Sequence, residues 1–160
     1  MARYIIGIMV LLGFYLSALA NPEDPEIAKK EEPFSASEKI NTDGESVFIF
    51  NPHTLRWYAY DSEGNLVRSG HGSGGRDYCD DIQEPCRTPV GTFYVDGLGD
   101  ADCLSEDIPP FGRAPMPYCM HVTGDFSIHG YSNVPNYNAS HGCIRVTPTE
   151  SKWLEDNVID

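Results

Sequence analysis

Near its C-terminal end the sequence places one thiol and two imidazoles among small residues, as His129-Gly130 and then Ser140-His141-Gly142-Cys143-Ile144-Arg145. These groups are the parts of covalent acyl transfer. A thiolate is the reactive form of cysteine, and a neighbouring imidazole can draw a thiol pKa from about 8.5 towards ~3.5–7.5. Cys143 is therefore read as the nucleophile and His129 as its base, brought together by the Asn-, Ser-, Tyr- and Pro-rich loop between them. Gly142 and Cys143 would turn adjacent backbone N–H groups towards a substrate carbonyl, the arrangement of an oxyanion hole. His141 would orient the substrate or make a supporting hydrogen bond. Arg145, two residues past the thiol on the same strand face, would hold a substrate carboxylate by a bidentate pair or sit in a surface ion pair. Zinc held by His129, His141 and Cys143 is the competing chemistry. It lacks an evident fourth ligand, so neither a metal nor a cofactor is expected.

Strands must position these groups. Val47–Phe50, Leu55–Tyr60, Leu66–Arg68, Thr92–Val95, Tyr118–Val122, Phe126–His129 and Cys143–Val146 are short, β-branched or aromatic runs bounded by turn residues. With 15 glycines and 12 prolines in the chain, little room is left for long helices. One helix is well signalled: Thr147-Pro148-Thr149-Glu150 offers an N-cap, a proline at the first helical position and a capping-box glutamate. It should run through Trp153 and Leu154 towards Asn157 and brace the Cys143 strand. The expected fold is mainly β and sandwich-like, with one or two short helices. Gly70-His71-Gly72-Ser73-Gly74-Gly75 fits a nucleotide-binding glycine pattern, but an acidic Cys-containing loop follows where a helix would be needed. Asn138-Ala139-Ser140 is a formal glycosylation sequon that would cover the proposed site, and it is discounted. His53, His71 and His121 have no catalytic company in the sequence.

Five cysteines suggest two disulfides and one free thiol. Cys79 with Cys86 is the favoured pair, since the two bracket a short acidic loop, and Cys103 with Cys119 is the second. Cys143 is then the odd thiol. Net charge is −13, which argues against nucleic acid, whose phosphates are bound mainly by Lys and Arg. Residues 1–20 read as a signal peptide: Arg3, an apolar run from Tyr4 to Leu16, and Ser17-Ala18-Leu19-Ala20 as the cleavage site. That run is short for a span of ~20 apolar residues, so no stable membrane span is expected after cleavage. Residues 21–45 read as a flexible acidic lead-in, and 46–160 as one catalytic domain.

The pieces Ile128-His129-Gly130, Ser140-His141-Gly142-Cys143-Ile144-Arg145 and Arg87-Thr88-Pro89-Val90-Gly91-Thr92-Phe93 resemble, in order, the signature of the YkuD-type L,D-transpeptidase catalytic domain. In that family the last piece precedes a central strand. The resemblance implies an exported enzyme of the bacterial periplasm or cell envelope, acting in cell-wall biogenesis. Cys143 would attack the carbonyl between the L-centre of diaminopimelate and the terminal D-alanine of a tetrapeptide stem of peptidoglycan. His129 would move the protons, with its ring held by the Gly130 carbonyl. An amine of a second stem would resolve the thioester, and carbapenems would acylate the same thiol. Gly142 and His141 complete the expected catalytic set, and Arg145, Ser140 and Tyr131 the substrate-binding set. Water as acceptor would make an L,D-carboxypeptidase or amidase of the same site. A noncatalytic wall-binding module is the reading from another class, and an unpaired thiol speaks against it.

Overall fold

Short β-branched and aromatic runs, punctuated by Gly, Pro and Asn, become strands much as their composition dictates. The computed structural model describes residues 36–106, 112–122 and 126–159, so the expected leader (1–20) and most of the expected lead-in lie outside the described residues. In chain order the elements are β1 (Val47–Asn51), β2 (Arg56–Tyr60), β3 (Leu66–His71), β4 (Val95–Leu98), β5 (Met120–Val122), β6 (Phe126–Gly130), β7 (Ile144–Val146) and α1 (Pro148–Asn157). They form a three-stranded sheet, β1-β2-β3, and a four-stranded sheet, β4-β5-β6-β7. All neighbours are antiparallel except β6 and β7, which run parallel. The expected mainly β architecture is present, with a single helix among the described residues.

The core joins both sheets to the helix. Trp57 and Ala59 of β2 meet Met120, Val122, Phe126, Ile128, Ile144 and Val146, and α1 adds Leu154. Trp57 is fully buried; it stacks on Phe48 and donates its indole N–H to the His71 carbonyl. β6 is buried along its whole length, as befits a strand with a neighbour on each side. Side-chain alternation sends Phe126 and Ile128 to one face and Ser127 and His129 to the other. The first face feeds the core and the second is left for chemistry.

The helix starts as its sequence dictates. The Thr147 hydroxyl accepts from the Glu150 N–H, and the Glu150 carboxylate accepts from the Thr147 N–H at 3.0 Å. Both partners of the capping box are thus engaged, and Pro148 opens the first turn. α1 packs on β6, and the Ser151 hydroxyl donates to the Tyr118 carbonyl.

Three expectations are corrected. Residues 37–42, read as lead-in, are tied to the β2–β3 hairpin: Lys39 bridges Asn65, Ile40 donates to the Gly64 carbonyl and Thr42 to that of Ser62. A polar composition hides this because the attachment uses backbone rather than apolar surface. Thr92–Tyr94 is not strand. Val90 and Tyr94 are exposed, only Phe93 turns inward to meet Phe126 edge-on, and β4 begins at Val95. β4 is also an edge strand rather than a central one.

Candidate active site

The parallel pairing of β6 with β7 builds the site. Its register sets Ile128 against Ile144 and His129 against Arg145. Cys143 immediately precedes β7, in line with Ser127, whose backbone N–H steadies the sulfur. Alternation then puts Ser127, His129, Cys143 and Arg145 on one face. Cys143 is half-buried and is the one free cysteine of the five; Cys79–Cys86 and Cys103–Cys119 are disulfides, as their spacing suggested.

His129 is 4% exposed, and its Nδ1 donates to the Gly130 carbonyl at 2.9 Å. A carbonyl can only accept, so Nδ1 carries the proton and Nε2 is the bare, basic nitrogen. Burial, with the Arg145 charge beside it, lowers the imidazole pKa to about 4 even though the Gly130 bond opposes the shift. The ring is therefore neutral at pH 7 and able to accept a proton. The thiol departs from the expectation of a lowered pKa. Burial raises it, against weaker opposing effects from the Ser127 N–H, the Arg145 charge and its own N–H. At rest the thiol and the imidazole are each neutral, because neither charge is well solvated there, and no hydrogen bond joins them in this structure, so the expected nucleophile–base contact is not yet made.

The turn leading into Cys143 is bound down on several sides. The Ser140 hydroxyl donates to the Cys143 carbonyl at 2.5 Å and accepts from the Gly142 N–H at 3.1 Å. Ser140 is 1% exposed, and its hydroxyl, expected near substrate, is engaged within the turn on both sides. Of the two amides expected to form an oxyanion hole, that of Gly142 is engaged here and that of Cys143 lies beside the sulfur. Gly142 has φ +127°, a conformation open to glycine and rarely to other residues. The Thr88 hydroxyl donates to the Gly142 carbonyl and accepts from the Gly75 N–H.

Behind the turn lies the glycine run. Ser73 and Arg145 exchange backbone hydrogen bonds, and Gly74 accepts from both Ala139 and Ser140. A Cβ on Gly75 would come within 1.9 Å of the Cys86 carbonyl oxygen, and one on Gly74 within 2.7 Å of the Thr88 hydroxyl. The glycines thus permit close backbone packing against the segment that carries Cys143; the helix among the described residues, α1, follows β7 rather than the glycine run, and its Glu150 side chain packs against Gly70. His71 donates from Nε2 to the Pro135 carbonyl and so fastens the loop between the two motifs. Both ends of the Asn138 side chain are engaged, with Pro52 and Gly74.

His141 does not turn to the thiol. Its Nε2 lies 2.7 Å from Asp81 Oδ2, on the loop closed by Cys79–Cys86, and that hydrogen bond is the main cause of the lowered Asp81 pKa. The zinc set fails to converge. Among the described residues, the groups with ligand atoms within 4.8 Å of one another are Cys103, Cys119 and His121, and Cys79, Asp81 and His141, and every cysteine in them is oxidised to a disulfide.

Arg145 lies with its guanidinium 4.4 Å from the centre of the Tyr131 ring, and its Nε is buried without a partner. Both residues line a cavity of about 530 Å³ together with Arg76, Asn133, Tyr137 and Asn138. Arg145 and Tyr131 were expected near substrate. Arg76, Thr88 and Asp81 acquire their places only in three dimensions, although Thr88 lies in the Thr-Pro-Val-Gly motif and Arg76 is a lone cation ahead of an acidic stretch.

The family model described as YkuD, L,D-transpeptidase catalytic domain, matches residues 45–160. A search of curated proteins found no relative. Among solved structures, an L,D-transpeptidase from Xylanimonas cellulosilytica is 25% identical, with TM-score 0.61, over 76% of this chain and 58% of that one. An L,D-transpeptidase from Mycobacterium smegmatis is 23% identical, with TM-score 0.58, over 72% of this chain and 56% of that one. L,D-transpeptidase 3 from Mycobacterium tuberculosis, solved with a faropenem-derived adduct, is 19% identical, with TM-score 0.58, over 72% and 56%. The chain thus spans little more than half the length of these structures. With the family model matched over most of its length and the motif residues gathered around the β6–β7 pair, the chain belongs to the L,D-transpeptidase catalytic domain family.

Proposed function

We propose that this chain is an exported peptidoglycan L,D-transpeptidase in which Cys143 is the nucleophile and His129 the base. The observation that carries the reading is the bond from His129 Nδ1 to the Gly130 carbonyl. It fixes the tautomer with Nε2 basic, on the same sheet face as the one free thiol. In a familiar triad a carboxylate orients the imidazole; here a backbone carbonyl does that work.

The reaction starts from neutral partners. As the Cys143 sulfur attacks the carbonyl between diaminopimelate and D-alanine, its proton passes to His129 Nε2. The Cys143 N–H supports the developing oxyanion, and the Gly142 N–H joins it only by leaving the Ser140 hydroxyl. The imidazolium then protonates the departing D-alanine amine, the C–N bond breaks, and a thioester remains on Cys143. An amine of a second stem attacks that thioester, His129 takes its proton, and the C–S bond breaks as the imidazolium hands that proton to the sulfur, restoring the thiol and the neutral imidazole. His141 serves the loop that it ties to Asp81, and Arg145 with Tyr131 faces the substrate. Export to an oxidising envelope is supported by the two disulfides. No helix among the described residues is long and apolar enough to cross a membrane.

The test is intact mass after incubation with a carbapenem, the drug class of the imipenem with which another similar L,D-transpeptidase was solved. Wild type should gain one adduct and Cys143→Ala none. Adduct on both proteins, or on neither, would overturn the assignment. Product analysis on tetrapeptide stems then separates cross-linking from hydrolysis.

A further inference from the structure

We propose that Arg76 and Arg145 form a two-guanidinium subsite that selects donor stems by a free carboxylate, with Arg76 as a specificity-determining residue. Resting on the transferase reading above, this narrows its substrate class to anionic stems.

The chain has 24 acidic side chains against 11 Lys and Arg, yet among its described arginines only Arg87 is in an ion pair, and what sets Arg76 and Arg145 apart is the cavity they share. Among the described residues the ion pairs are Arg87–Asp77, His141–Asp81 and Lys152–Asp156, and neither Arg76 nor Arg145 takes part. Both line one cavity, and no carboxylate lines it with them. Asp81, the acid whose charge Arg76 feels, is bonded first to His141.

Each guanidinium is held in place without being neutralised. Arg76 Nη2 donates to the Ala139 carbonyl at 2.9 Å, and the Arg76 backbone N–H donates to that of Ser140. Arg145 stacks on Tyr131 and keeps its buried Nε unpartnered. A buried N–H without an acceptor is unfavourable, and because this Nε is shut off from solvent a ligand's oxygen meets it only when the Arg145 side chain shifts towards the cavity. Two preset planar cations suit a carboxylate, which accepts paired N–H bonds.

The position suits the reaction. Arg145 follows Cys143 by two residues on the same face, about 6.6 Å along an extended chain. Its charge is felt by both Cys143 and His129. A donor stem carries one carboxylate within that reach of the acylated carbonyl, on the terminal D-alanine three bonds away, and a second six bonds away at the diaminopimelate D-centre, which comes within reach when the side chain folds back.

Three donor tetrapeptides test the proposal: one with both carboxylates free, one with the D-centre carboxylate as a carboxamide, and one with the terminal carboxylate as a carboxamide. Binding is measured by calorimetry on Cys143→Ala, and turnover on the wild type, Arg76→Gln and Arg76→Lys, with thermal melting as a check on folding. Wild type should prefer the free acid over one of the two amides by about tenfold, in Kd and KM more than in kcat. The sensitive position identifies which carboxylate is read. Arg76→Gln should bring that ratio close to one, and Arg76→Lys should keep part of it. Equal binding of all three donors to Cys143→Ala would overturn the proposal whatever the variants do. Full discrimination in a folded Arg76→Gln would overturn the role of Arg76. Binding without any turnover would instead sink the transferase reading, and the proposal with it.

Discussion

At the residue scale, a buried imidazole and a half-buried thiol are each kept neutral by the same shortage of solvent. His129 titrates at about 4 instead of the ordinary 6.5, so it is a competent base at every pH well above 4. The acid limb of kcat/KM should therefore fall near pH 4 rather than near 6.5, and a limb at 6.5 would show that the ring is better solvated than this. Stability follows with a definite sign. Below pH 6.5 the unfolded chain binds a proton that the folded ring refuses, so stability is full above 6.5 and declines as pH falls to about 4. The whole decline is about 3 kcal/mol, and His129→Gln should abolish that part of the pH dependence in denaturant titrations. The same substitution should slow carbapenem acylation by ~10²–10⁴-fold, the usual worth of a general base, as read by stopped-flow or mass spectrometry.

Elements matter here mainly as clamps on one turn. The glycine run, Thr88 and the Cys79–Cys86 hairpin all press against Ser140–Cys143. Gly75→Ala would set a methyl group 1.9 Å from the Cys86 carbonyl oxygen, and the backbone shift this forces should cost ~1–3 kcal/mol. The readouts are the denaturation midpoint and a matching fall in acylation rate, because Gly75 reaches the turn before Cys143 through the Thr88 hydroxyl and the Gly142 carbonyl. Cys79→Ala with Cys86→Ala opens a short loop and should cost about 2.5 kcal/mol by the loop-entropy relation. At the far end of the segment, Thr147→Ala removes the N-cap of α1 for ~1 kcal/mol. That change should lower the melting temperature with little effect on acylation of the folded fraction, a contrast that separates brace from clamp.

For the whole molecule, charge is the property that acts beyond contact distance. A net charge of −13 would favour the cationic amine of the proposed acceptor and oppose the carboxylates of the proposed stems, so steering of the amine is read with an acceptor that carries no carboxylate. Raising ionic strength from low to about 0.5 M should raise acceptor KM several-fold, since the Debye length shrinks from tens of ångströms to a few. An acceptor KM indifferent to salt would confine recognition to short-range contacts.

Local chemistry was legible in the residues themselves. Cysteine parity and spacing indicated which thiol stays free, the capping box named the first turn of the helix, and β-branched runs marked most of the strands. These signals work because each depends on neighbours a few positions away. Ser140 looked substrate-facing, yet its hydroxyl is turned inward by Gly142 and Cys143. His141 looked catalytic, yet it is claimed by Asp81 across a gap of sixty residues. The glycine run, residues 37–42, the place of Arg76 and the raised thiol pKa were likewise decided by tertiary structure. All of them depend on burial, or on which distant backbone comes to lie alongside. Residue types and their spacing set which groups are available for reaction, whereas the packing of the two sheets settled which of them line the cavity, in which protonation state, and which hold the others still.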